Sequence, residues 1–161
     1  MLLNALLFQV GWFSCVLGGD LLAVVITATI LLVHSQWLMR SSREWLLIAL
    51  VAVMGISLDS FWSYNGLLQF PGVALGIPLW LACIWLLFAT CLCHSFNWLQ
   101  QRLLLASLLG AVAGPSSYIA GAAMADVVLG EPQLFSIALM ALAWAFMFPM
   151  LLTFARVITE D

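Results

Sequence analysis

From Leu2 to Ile158 the chain is a succession of long apolar runs, parted by five short breaks. The runs are Leu2–Gly18, Leu21–Met39, Trp45–Tyr64, Pro78–Phe96, Leu103–Met124 and Leu134–Ile158. A run of about 20 apolar residues is what an α-helix needs to cross a hydrocarbon layer, where every backbone polar group must be paired inside the segment. The breaks carry turn chemistry or charge: GGD at 18–20, RSSRE at 40–44, NGLLQFPG at 65–72, NWLQQR at 97–102 and GEPQ at 130–133. Charged residues make up 7% of the chain and the mean hydropathy is +1.19. A soluble domain carries about 25% charged residues, so a water-facing surface cannot be built here. The expectation is an all-α polytopic membrane protein of bacterial inner-membrane type. It is a single domain over 1–161 with six transmembrane helices, and the GGD break makes the first two a tight hairpin.

All four basic residues are arginines. Arg40 and Arg43 follow the second run, Arg102 follows the fourth, and Arg156 ends the sixth. In a six-span chain those positions share one side, and the positive-inside rule puts that side and both termini in the cytoplasm. No basic run suits nucleic acid. Cys15, Cys83, Cys91 and Cys93 sit in apolar segments, as buried small hydrophobes do. No nucleophile elbow, phosphate loop or zinc-protease pair is present, and no cofactor is expected. A membrane lipid is the expected partner, and the sequence is compatible with a homo-oligomer.

Polar residues inside the runs are the candidate functional groups. Asp59 follows Trp45 by fourteen residues, ~21 Å along a helix, and a carboxylate at membrane depth points to function. In the fifth run Ser116, Ser117 and Tyr118 rise to a similar height. With Asp20 these residues are expected to form a polar pocket in the outer third of the membrane, Asp59 acting as acid or base and Tyr118 as a donor that positions an oxygen. Gly110, Gly114, Tyr118 and Gly121 share one helix face, a pattern that lets two backbones approach closely in lipid. Pro115 beside them removes a backbone donor and is expected to kink the helix. These residues predict a fifth helix packed at the centre of the bundle.

A second polar layer lies toward the cytoplasm. Thr90 and His94 are one turn apart, and the histidine is read as hydrogen-bonded to that hydroxyl or across to another helix. The alternative is a metal site made of His34, His94, Cys91 and Cys93. It is set aside because Cys-x-Cys-His on one helix spreads its side chains over more than one face and lacks a recognised zinc spacing.

The run FATCLCHSFNWLQQRLLLASLLGAVAGPSSYIAGAA, with NALLFQVGWFSCVLGG and GISLDS, resembles the bacterial membrane proteins grouped as "domain of unknown function 2878". The resemblance covers nearly the whole chain. It marks Trp12, Asp59, Thr90, His94, Ser95, Trp98, Gly114, Pro115, Tyr118 and Gly121; where the family commonly has Asn before the histidine, this chain has Cys93. The resemblance implies a lipid-related role, as an enzyme or accessory factor. A non-enzymatic scaffold or sensor and a manganese or zinc permease component are the alternatives.

Overall fold

The GGD break is a sharp reversal. Gly19 adopts φ 68° and ψ −178° in the middle of α1, Leu2–Val33, a conformation open to glycine because it has no Cβ. Cys15 Sγ then lies 3.9 Å from Thr27 Oγ1, although twelve residues of straight helix would separate them by ~18 Å. A Cβ on Gly11 would stand 2.9 Å from Ile30 Cδ1. α1 is therefore two antiparallel arms in contact. The computed structural model describes residues 1–73 and 76–160, and the chain is all-α apart from a two-residue ladder.

α1 runs into a π-helical turn, His34–Leu38. After it come α2 (Glu44–Tyr64), α3 (Leu79–Leu92), a 3-10 turn (Asn97–Leu99), α4 (Leu103–Met124) and α5 (Gln133–Glu160). Four helical stretches among the described residues are long and apolar enough to cross a membrane: Leu2–Leu38, Glu44–Tyr64, Leu103–Met124 and Gln133–Thr159. α3 is apolar but shorter. The fourth run, expected to be helical over 78–96, leaves the helix at Leu92, and a turn closed by the Phe96 N–H on the Cys91 carbonyl follows.

The centre of the bundle is α3, not the fifth run. α3 buries Leu81, Cys83, Trp85, Leu87, Ala89 and Leu92, positions on two opposite sides of its axis, and it packs between the α1 hairpin and α2. α4 pairs with α5 instead, and Leu104, Leu108 and Val112 on its outer side are 78%, 61% and 68% exposed. Ser107 donates to the Ala145 carbonyl of α5 at 2.7 Å. Gly110 lies so near α5 that a Cβ would meet the Trp144 carbonyl oxygen at 2.6 Å, and Gly114 presses on the Trp144 ring. Gly121, expected on this packing face, has nothing within 4 Å of its Cβ position. α4 stays helical through the buried Pro115.

Loops gather at two ends. Ser95 lies near the Met1 carbonyl, and Cys93 reaches Thr159; Glu44 sits beside His94 at the same end. At the other end β1, Leu68–Gln69, pairs antiparallel with β2, Val128–Leu129. A side chain at Gly130 would strike the Gly66 carbonyl there. Asp20 reaches across this end to α3, where its Oδ1 accepts the Trp80 N–H at 3.0 Å.

Candidate functional site

The segment GISLD places Gly55 and Asp59 one helical turn apart on the same face of α2. The missing side chain at Gly55 leaves a seat that the Trp85 indole fills. From that seat Trp85 Nε1–H donates to Asp59 Oδ2 at 2.6 Å. Tyr118, on α4, donates its hydroxyl to Asp59 Oδ1 at 2.5 Å. The carboxyl is completely buried, and each of its oxygens has a donor from a different helix. Three helices are thus tied by one side chain.

Around this knot lies an aromatic cluster. Trp85 stacks on Trp144, centroids 5.4 Å apart and planes 10° from parallel. Phe88 meets both edge-on, at 5.8 and 5.5 Å. The Trp62 and Trp144 indoles lie beside the Tyr118 phenol, with their buried N–H groups toward its oxygen.

The knot forms part of the wall of a cavity of about 680 Å³. The cavity follows the first arm of α1 from Ala5 to Val16, and passes α3 and the Leu109–Ala113–Ser117 side of α4. It runs from Ser95 and Trp98 at one end of the molecule to Phe70 and Val127 at the other. Its lining is mainly apolar and aromatic, with Asp59, Tyr118, Gln9, Ser95 and Ser117 as polar points. Beyond Val16, Phe70 and Trp80, which border both, a second cavity of about 620 Å³ holds Asp20 and Asp126.

The structure therefore divides the expected pocket. Asp59, Tyr118 and Ser117 share the large cavity. Ser117 also bonds back to the Gly114 carbonyl at 2.6 Å. Asp20 belongs to the second cavity. Ser116 faces outward and donates to Val112 of its own helix, so it has no part in either. Gly121 lines the large cavity, which explains the open space at its Cβ position.

The inner polar layer is also rearranged. Thr90 donates to the Leu87 carbonyl at 2.7 Å and accepts from Asn4 Nδ2 at 3.1 Å. Ser95 in turn donates to Asn4 Oδ1 at 2.6 Å. His94 does not meet Thr90; its Nε2 lies 2.9 Å from Glu44 Oε2, which His34 Nε2 also approaches at 3.1 Å. Cys91 turns to the Leu87 carbonyl and Cys93 to Thr159, so neither thiol joins the histidines. Asn4 and Glu44 were missed from sequence because each sits at the edge of an apolar run, where a polar residue reads as a boundary. The depth of their burial, 2% and 3% exposed, arises only when other segments close over them.

The family of proteins of unknown function known as DUF2878 matches residues 1–150. The chain belongs to that family. Positions that carry the family resemblance meet in space: Asp59 with Tyr118, and Thr90 and Ser95 with Asn4. No curated protein and no solved structure matches the chain.

Proposed function

We propose that this protein is a bacterial inner-membrane protein that crosses the membrane six times, with both termini in the cytoplasm, and binds a membrane lipid by its acyl chain. The α1 hairpin supports the even number of crossings, each arm counting as one. Arg40, Arg43, Arg102 and Arg156 lie in or beside the segments gathered at one end of the molecule. Trp37, Trp45 and Trp98 are exposed there, as interfacial aromatics are, and Arg102 stacks over Trp98 at 5.7 Å.

One observation carries the lipid reading: a long apolar cavity, within the range of small-ligand sites, whose wall holds the Asp59–Tyr118 pair. The apolar length suits an acyl chain. Asp59 and Tyr118 are the groups able to exchange a proton beside it. A lipid-modifying enzyme or an accessory factor that presents the lipid would both use this arrangement. A metal permease gains no support, because the buried face of α2 between Glu44 and Asp59 consists of Leu47, Ile48, Val51, Ala52 and Gly55, which offer no side-chain ligand.

Lipid mass spectrometry on protein purified in mild detergent tests the reading. Wild type is expected to retain a defined lipid. Ala113→Phe, which fills the cavity from its exposed side, is expected to retain about tenfold less, equivalent to ~1.4 kcal/mol, whereas Leu108→Ala is expected to behave as wild type. Equal retention in a folded Ala113→Phe protein would refute an acyl chain in this cavity and favour a scaffold or sensor.

A further inference from the structure

At the arginine-bearing end, three side chains from three separate segments meet. His34 comes from the π-helical turn after α1, Glu44 is the first residue of α2, and His94 lies in the turn after α3. Their candidate ligand atoms all lie within 4.8 Å of one another. Both Nε2 atoms point at the same oxygen, Glu44 Oε2, at 3.1 and 2.9 Å. The rings stand perpendicular, centroids 4.9 Å apart. The three residues are 1%, 3% and 4% exposed.

We propose that His34, Glu44 and His94 bind one first-row divalent transition-metal ion, of which zinc fits best. A tetrahedral ion with bonds of about 2.0–2.1 Å holds its ligand atoms about 3.3 Å apart, so each nitrogen needs to draw back from Glu44 Oε2 by a few tenths of an ångström. Two imidazoles with one carboxylate is a donor set for zinc or ferrous iron; magnesium and calcium require mostly oxygen. Three protein ligands leave a coordination position for water or substrate, as in catalytic rather than structural zinc sites.

Three further features agree with an ion here. Glu44 Oε1 accepts the Arg40 backbone N–H at 2.8 Å, an outer contact that fixes the carboxylate and leaves Oε2 for the ion. His34 is carried on a π-helical turn, a rare backbone form frequent at functional sites. A buried carboxylate also needs compensation for its lost hydration, which a divalent cation supplies. Fifteen residues of α2, ~22 Å, separate this site from Asp59, so the proposal stands apart from the lipid reading.

The test uses the full chain purified in detergent, stripped with a chelator and titrated with Zn²⁺ and Co²⁺, with metal content measured by elemental analysis. The expected result is one saturable ion per chain, with visible Co²⁺ absorption typical of low coordination number. Glu44→Gln and His94→Ala are each expected to weaken binding at least tenfold, about 1.4 kcal/mol, while Cys93→Ser and Asp59→Asn retain it. If Glu44→Gln fails to fold, His34→Ala and the wild-type titration decide. Folded wild type with no saturable site overturns the proposal, as does binding that survives His94→Ala or disappears in Cys93→Ser.

Discussion

Trp85 lies flat against Trp144, and a glycine seats each ring: Gly55 of α2 for Trp85 and Gly114 of α4 for Trp144. One tryptophan from the central helix and one from the last thereby join two halves of the bundle, α1–α3 and α4–α5. In lipid there is little hydrophobic force between helices, so close contact of this kind carries the association. Gly114→Leu is expected to force the Trp144 ring out of place, at about 1–3 kcal/mol for overpacking. Folded yield and thermal midpoint in detergent should fall well below those of Leu108→Ala, whose site is exposed. Equal values would show that α4 and α5 do not depend on this seat.

Asp59 offers a test that separates shape from hydrogen bonding. Asp59→Asn keeps one acceptor oxygen and the size of the side chain. Asp59→Leu leaves both the Tyr118 hydroxyl and the Trp85 N–H unpaired, and each buried orphan costs about 1–3 kcal/mol. The expected order of thermal stability is wild type, then Asn, then Leu, with Tyr118→Phe closer to Asn than to Leu. A Leu variant as stable as wild type would mean that the knot contributes nothing to the fold. A destabilised Leu with a fully stable but lipid-free Asn variant would assign the carboxylate to lipid binding.

Topology is checked by reporters at the two termini and by a single accessible cysteine introduced at Asp20 in a background without the native thiols. Both termini are expected to report cytoplasmic, and Asp20→Cys is expected to react with an impermeant thiol reagent from outside. A periplasmic terminus would refute six crossings, and labelling of Asp20→Cys only from the cytoplasm would invert the orientation.

Gly130 tests the ladder that ties the loops at the Asp20 end. Gly130→Val should collide with the Gly66 carbonyl and separate β1 from β2. Loss of the ladder is expected to raise protease cleavage in 65–72 and 125–132 while the helices remain. Unchanged cleavage would show that the two loops hold together without it.

The all-α class, the approximate limits of most helices and the tight turn at 18–20 were legible in the sequence, because they follow from local physics. A long apolar run in a nearly uncharged chain has one way to pair its backbone, and paired glycines mark a reversal. Asp59 and Tyr118 were also legible, since a polar group in an apolar run stands out and equal rise along two helices puts them level. The sequence could not say which helix would be central. That depended on where Trp85 and Trp144 found glycine seats, a matter of how surfaces from distant segments fit. Nor could it tell Asp20 and Ser116 from true partners of Asp59, because height along a helix says nothing of the direction in which a side chain points. His34 and His94 could be paired from sequence only in company with Cys91 and Cys93; that Glu44 joins them and the thiols do not was hidden for the same reason, since only the packing of α1, α2 and α3 brings these polar atoms to one point.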